Sequence, residues 1–482
     1  MQGKKSPTWA YIPLCVFLLC ALCDSVVSSS LRAAEPISTY RGDPQRTGSD
    51  GLPGPTTPKV LWTWKSADHF IAAPVASKDR LFVSGLGGFN VPTLACLDTD
   101  PKAAKRIIWT KGTPYLKLPT VSSPALHDGK LIFGDGMHQT DGAILHCLQM
   151  DKGRMLWQLP VPGTLVHLEG SPTIAGGRVY LGGGAAGVLC VDMNRVTLDG
   201  KEMDLPAIQK LLDKKWEELQ AKYEADKKKD PMLAVPPSED DLPHPAPVRL
   251  WQQGKDKWHV DAPVAVSDDR VLAASAYLDK EKVGDRALFC LNAKTGEIAW
   301  RTPLAVNPWG GPSLSGDLVV VSGSTIGYDP KSLKKAKGVV AAYNRADGKE
   351  KWKKTVQGGI VSCVALTKEL AIATATDGKV RAFDLQTGER RWIYDGKAPF
   401  FAPVAVSAGL AYAGDLRGVV HAVNLADGTA KWKLDLAADP VKAAGMVYAG
   451  PVLHGGRLYV ATCNLEGPSA RQPTVVVCIG EK

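Results

Sequence analysis

Apolar and polar positions alternate along this chain in short runs, and the runs keep one repeating order. The stretch at 288–304, LFCLNAKTGEIAWRTPL, has it at its plainest: an apolar run, a polar turn ending in Gly, and a second run that starts at Trp. Copies stand at 144–160 (ILHCLQMDKGRMLWQLP), 339–356 (VVAAYNRADGKEKWKKTV), 380–396 (VRAFDLQTGERRWIYDG) and 419–436 (VVHAVNLADGTAKWKLDL). In each copy Trp stands four residues after Gly: Gly153/Trp157, Gly296/Trp300, Gly348/Trp352, Gly388/Trp392 and Gly428/Trp432. Four residues ahead of most of these glycines stands Asn292, Asn344, Asp384 or Asn424. Such a side chain bonds the backbone ahead of it and opens a turn, and Gly takes the positive φ at no steric cost. β-branched, aromatic and small apolar residues before the turn suit a buried strand. Trp combines a large apolar area with an N–H that can still find an acceptor, so one Trp per repeat is expected as a wedge between neighbouring sheets.

A second landmark is a small residue followed by Pro, which opens a strand about a dozen residues after each Trp. The pairs are Ala73-Pro74, Ser123-Pro124, Ser171-Pro172, Ala262-Pro263, Gly311-Pro312, Ala402-Pro403 and Gly450-Pro451, with one copy altered to Cys363-Val364. Pro is tolerated at the first residue of a strand. A polar turn and a hydrophobic strand follow each pair, from RLFVSG at 80 to RLYVAT at 457. The matching tryptophans are Trp62, Trp109, Trp157, Trp251, Trp300, Trp352, Trp392 and Trp432, spaced 40 to 52 residues apart except for a gap of 94 after Trp157. Each unit thus supplies four short strands, the size of a propeller blade. The last strand, 475–480, lacks a Trp strand after it, and the first, 60–65, is a Trp strand with no predecessor. Joining the two completes a blade from both termini and removes an open sheet edge. The expected fold is all-β: an eight-bladed β-propeller of four-stranded antiparallel blades over residues 59–482.

The 94-residue gap holds an insertion, placed at 196–247. Leu205, Ile208, Leu212, Trp216, Leu219 and Tyr223 fall near one helical face within 204–229, with Asp204 as N-cap and Pro206 in the first turn. A Pro-rich return follows. The expected role is a helix packed on the propeller rim, with a partner-docking helix as the other reading. Residues 35–58 form a Gly/Pro/Ser-rich lead-in, and its Arg41-Gly42-Asp43 reads as a turn rather than an adhesion motif. Residues 1–34 have the layout of a secretory signal peptide: Lys4 and Lys5, an apolar run from Trp9 to Leu22, then small residues. Cleavage is expected between Ser28 and Ala34, leaving an exported protein with no transmembrane segment. Cys15, Cys20 and Cys23 each follow Leu, unlike the small residue that a lipid-anchoring signal places there.

Composition changes this picture little. A net charge of +9 in 482 residues favours solubility, and no basic block interleaved with aromatics points to nucleic acid. Seven cysteines remain after export. Cys96, Cys147, Cys190, Cys290 and Cys478 share one column of the repeat with Ala342, Ala382 and Ala422, and Cys363 takes the small-residue column before Pro. They read as small packing residues, and no disulfide is expected.

In a four-stranded antiparallel blade, the loop from the Trp strand to the next Pro strand shares a face with the loop after the second strand. That face surrounds the channel mouth. It carries His69, His167, Glu169, Asp261, Trp309, Phe400, Phe401 and Tyr448 from the first set of loops, and Asp135, His138, Asp377, Asp415 and Arg417 from the second. A ring of aromatic and polar groups around a funnel suits an envelope protein or a small ligand. His167 and Glu169 with His69 could be built into a metal site, but they lack local ligand spacing, so no metal is assigned. No nucleophile elbow, zincin helix, P-loop or EF-hand loop is present, and no catalytic residue is assigned.

The Asx-x-x-(Thr/Asp)-Gly-x-x-x-Trp turn resembles the repeat of PQQ-like propellers, and all eight units fit it loosely. The lead-in YRGDPQRTG also resembles the opening of bacterial PQQ-like repeat proteins. That family includes the outer-membrane assembly factor BamB and the quinoprotein alcohol dehydrogenases. The resemblance implies either a non-catalytic exported propeller, acting in the periplasm or outside the cell as a monomeric scaffold without a cofactor, or a dehydrogenase using PQQ and Ca²⁺ on alcohols or sugars. Quinoproteins usually show a vicinal cysteine pair, a Ca²⁺ ligand set and a catalytic Asp. No adjacent cysteines occur in this chain, and no residue here matches the ligand set or the Asp.

Overall fold

The computed structural model describes residues 38–482 other than 50, 139, 327–332, 334, 466 and 468. The expected signal peptide, with Cys15, Cys20 and Cys23, lies outside the described residues. The described chain folds into eight antiparallel sheets. Blade 1 runs Val75–Ser77, Arg80–Leu86, Pro92–Asp98 and Ile107–Lys111, and the same innermost-to-outermost order repeats around the ring. The middle strands, such as Leu370–Thr374 and Leu410–Gly414, are buried throughout. They read as unbroken apolar runs because a neighbouring blade covers each face. Outermost strands such as Ile107–Lys111 alternate between half-buried and exposed positions, as one solvated face dictates.

The ring closes as the termini predict. Pro58–Ser66 pairs antiparallel with Thr474–Glu481, and this pair completes blade 8 with Arg457–Ala461 and Val452–His454.

The tryptophan column explains how blades hold together. Each Trp stands opposite the small-residue column of its own sheet: Trp62 opposite Cys478, Trp109 opposite Cys96, Trp392 opposite Ala382. Only a small side chain leaves room there for the indole. The seven described cysteines are buried free thiols. Each indole N–H then reaches into the next blade: Trp157 to the Met193 carbonyl at 3.2 Å, Trp300 to Arg345 at 2.9 Å, Trp392 to Leu425 at 2.7 Å. Trp432 has no such turn ahead of it, and the Pro55 carbonyl of the lead-in takes its place at 3.0 Å. The turn glycine of the following blade lies under the same ring. A Cβ at Gly428 would come within 2.8 Å of Trp392, and φ there is +75°, so shape and backbone both require Gly.

The insertion is a hairpin and a helix. Val188–Leu198 runs past its blade and pairs with Lys201–Asp204, and it also pairs with Ala246–Gln253 through Val196↔Pro247 and Thr197↔Ala246. Residues 196–198 and 246–247 thus belong to blade 3, inside the boundaries that the sequence suggests for the insertion. The helix spans Leu205–Lys229, with the Asp204 carboxylate accepting from the Ala207 amide at 2.8 Å. Leu205, Ile208 and Leu212 are buried in the core of blades 2 and 3, with Trp216 and Leu219 packed beside them. This is the expected rim packing. Among the described residues no helix is long and apolar enough to cross a membrane.

The lead-in is more than a turn. From residue 38 to residue 49 it lies along the innermost strands of blades 1 to 7. Ser38 bonds the Ala76 carbonyl and bridges Leu126, and the amides of Val266, Leu314, Leu366 and Val406 donate to the carbonyls of Pro44, Gln45, Thr47 and Gly48. The segment therefore plugs the central channel. Arg46 is fully buried within it. Its guanidinium donates to the carbonyls of Ser171 (2.9 Å), Pro172 (3.1 Å), Val264 (3.2 Å) and Tyr40 (2.5 Å), and to the hydroxyls of Thr39 and Thr173. Burial lowers its pKa to about 10, which leaves it charged at neutral pH.

Candidate functional site

Above the plug a cavity of about 340 Å³ opens on the propeller axis. All eight inter-blade loops line it, through residues such as Ala73, Ser123, Glu169, Asp261, Trp309, Ser362, Phe401 and Tyr448, and Tyr40 of the lead-in joins them. The channel mouth is thus the face that the strand-order argument selects. Of the residues expected there, His138, Glu169, Asp261, Trp309, Phe401 and Tyr448 line the cavity, and His167 is buried against His138, with ring centroids 5.5 Å apart.

The other expected residues lie elsewhere. Phe400 is buried in its blade against His421, at 5.4 Å. Successive residues of an extended chain point opposite ways, so the cavity receives Phe401 and the core receives Phe400. Asp135 and Asp415 are buried and bonded to imidazoles on the next strand, Asp135 to His146 at 2.9 Å and Asp415 to His421 at 3.0 Å. Each also accepts from the amide that continues its loop, Ile144 or Val419. Asp377 binds both terminal nitrogens of Arg381. These three carboxylates fix loops and do not line the cavity. Arg417 is exposed outside the cavity lining. His69 accepts from the Asn464 amide at 3.1 Å and is not part of the histidine cluster below.

On one wall of the mouth, His138, His167 and His259 converge, each offering a ring nitrogen within 4.8 Å of the others. His138 comes from the loop after Lys130–Gly134, His167 from the loop joining blades 2 and 3, and His259 from the loop joining blades 3 and 4. Backbone bonds hold these loops: Leu168 to Asp135, Val260 reciprocally with Gly184, and Ala276 to His259. The Asp261 Oδ1 lies 2.9 Å from His259 Nε2 and 3.4 Å from His167 Nε2, and the Glu169 Oε1 lies 3.5 Å from His167 Nδ1. Glu169 also accepts from the His138 amide. Yet both ring nitrogens of His167 and Nδ1 of His259 are buried without a hydrogen-bond partner.

Burial pushes the His167 imidazole down to about 4, so its ring is neutral at neutral pH. Burial, reinforced by Asp261, pushes the Glu169 carboxyl up to about 7. Burial also acts to raise Asp261, but His259, His167 and His138 outweigh it and hold that carboxyl below its ordinary value.

His259 is not among the residues expected at the mouth. A signal for it exists: His167-Leu168-Glu169 recurs as His259-Val260-Asp261, a histidine and an acid two residues apart in consecutive inter-blade loops.

The family described as outer membrane protein assembly factor BamB, built of PQQ-type repeats, matches residues 54–203, 248–336 and 310–479. The chain belongs to this family. The break between the first two BamB-family segments coincides with the helical insertion, which therefore adds to the shared propeller. BamB from Moraxella catarrhalis superposes with a TM-score of 0.55 at 14% identity, over 88% of this chain and 98% of that one. The quinohemoprotein alcohol dehydrogenase ADHIIG from Pseudomonas putida HK5 gives 0.60 at 12% identity, over 92% and 79%. A europium-containing methanol dehydrogenase gives 0.57 at 13%, over 92% and 98%. At these identities the likeness is one of fold. No curated protein sequence matches the chain.

Proposed function

We propose that this chain is an exported, non-catalytic PQQ-like propeller that serves as a protein- or ligand-binding scaffold in the cell envelope, with the axial cavity as its binding mouth. The charge of the cavity lining carries this reading. Among the described lining residues the only carboxylates are Glu169 and Asp261, and none is Lys or Arg. Pyrroloquinoline quinone is a tricarboxylate and would meet acids here with no cation to balance it. Calcium takes about six to eight oxygen ligands, whereas the donors gathered at this mouth are largely imidazole nitrogens. The residues present therefore do not fit the quinone and its calcium.

The wall away from the histidines suits a partner's side chain. Phe401 and Tyr448 meet edge to face at 5.4 Å, and Trp309 stands on the same lining. Aromatic anchors of this kind dominate binding energy at protein interfaces. Membership in the BamB family supports a protein partner.

Titrating the purified protein with pyrroloquinoline quinone and Ca²⁺ is expected to give no saturable binding near micromolar concentration. Saturable binding with a shifted quinone spectrum would overturn the scaffold reading in favour of the dehydrogenase.

Trp309→Ala and Phe401→Ala are each expected to change unfolding free energy by less than about 1.5 kcal/mol, since both rings are only half-buried. Both should lower the yield of photo-crosslinks from a probe at the cavity lip to envelope components. Full-yield crosslinking in both variants would place the binding surface away from the mouth.

A further inference from the structure

We propose that His138, His167 and His259 bind a divalent transition-metal ion, zinc being the best match, with Asp261 beside His167 and His259 to offset its charge. The site goes beyond the scaffold reading and does not depend on it.

The first ground is convergence. Three imidazoles from three separate loops, all held by blade backbone, bring ring nitrogens within 4.8 Å of one another. Ligand atoms around tetrahedral zinc, at about 2.0–2.1 Å from the metal, lie about 3.4 Å apart. The Asp261 Oδ1 contact with His167 at 3.4 Å matches that edge and the one with His259 at 2.9 Å is shorter, while the imidazole nitrogens need to draw in by up to about 1.4 Å.

The second ground is the orphaned atoms. Buried polar groups are nearly always hydrogen-bonded, and those that are not call for an explanation such as an ion. Here both ring nitrogens of His167 and Nδ1 of His259 are buried without a hydrogen-bond partner, and an ion would take one nitrogen from each ring. His259 Nε2 and Asp261 Oδ1 approach to 2.9 Å.

The donor set selects the metal class. Imidazole with one carboxylate suits zinc and its neighbours in the first transition row, while calcium and magnesium take oxygen. Glu169 beside His167 Nδ1, at 3.5 Å, stands where a carboxylate orients a ligating imidazole from behind. The two carboxylates balance a doubly charged ion, and the cavity leaves it accessible from solvent.

The test uses the full mature protein, stripped with a chelator and then titrated with Zn²⁺ against a chromophoric competitor. In parallel, Co²⁺ is followed by its visible d–d bands. One equivalent is expected to bind with Kd of about 1 µM or tighter, to raise the thermal midpoint, and to give the spectrum of four-coordinate cobalt. His138→Gln, at the half-buried lip, is expected to fold normally and to weaken binding at least about tenfold. The double variant His167→Gln/His259→Gln should lose the one-equivalent phase, and His69→Gln should bind like the wild type. The proposal is overturned if the wild type shows no saturable one-equivalent binding, or if binding persists unchanged in the folded variants. Should the double variant fail to fold by circular dichroism, His138→Gln decides. Crosslinking through the mouth, read with and without chelator, reports on the scaffold reading separately.

Discussion

Replacing Trp392 with Ala is expected to destabilise the propeller by about 3–5 kcal/mol, the range for removing a large aromatic side chain from a packed core. Three losses coincide at this position. The side chain is 94% buried, since only 6% remains exposed. Its N–H gives up the Leu425 carbonyl at 2.7 Å, which lies at the turn of the next blade. Gly428, whose lack of a side chain makes room for the indole, would face a void, and a backbone with φ of +75° cannot readily move in to fill it. The effect belongs to the interface between blades 6 and 7, so it should appear as a lower midpoint in urea at an unchanged slope. A loss below about 1 kcal/mol would show that neighbouring blades are held by their strands and not by the tryptophan wedge.

Arg46→Met is expected to cost on the order of 4 kcal/mol, because a hydrogen bond to a charged group contributes about 1.5–3 kcal/mol and several are lost together. Methionine keeps most of the volume and removes every donor. The carbonyls of Ser171, Pro172 and Val264, all bonded to the guanidinium, would be left in a dry channel. Hydrogen exchange separates this from a general weakening of the ring. The amides of Val266, Leu314, Leu366 and Val406, which donate to the lead-in, should lose protection. The Gly428 amide, bonded within its own turn to Asn424 at 2.9 Å, should keep it. Unchanged protection at the four amides with a loss below about 1 kcal/mol would mean that backbone bonds alone hold the plug. Because Tyr40 lines the cavity, release of the plug would also deepen the binding mouth. The stability of the lead-in and the shape of the candidate site are therefore one problem.

Much of the architecture was legible in the chain. Blade number, closure by the termini, the Trp wedge, the cysteine column and the helix with its Asp204 cap each rest on a local pattern. A strand, a turn and a wedge are specified within a few residues, and repetition multiplies the signal. The face of the mouth followed too, since alternate loops of an antiparallel blade must lie on opposite faces. Strand order determines which loops reach the mouth but not the direction of each side chain. Phe401 and Phe400 are equivalent at that level, and His146 and His421 take up Asp135 and Asp415 only across neighbouring strands.

The tertiary structure alone decided the two features at the axis. The lead-in has the composition of a linker, and nothing local marks Arg46 for burial; ring closure creates the hole that the segment fills. His138, His167 and His259 lie 29 and 92 residues apart along the chain, and only the His-x-acid pair shared by two of their loops links them locally. They meet because closing the ring turns inter-blade loops toward a common centre. A repeating sequence states how each blade is built and how many there are. What gathers on the axis depends on the residues of several loops at once, and only the closed ring brings those together.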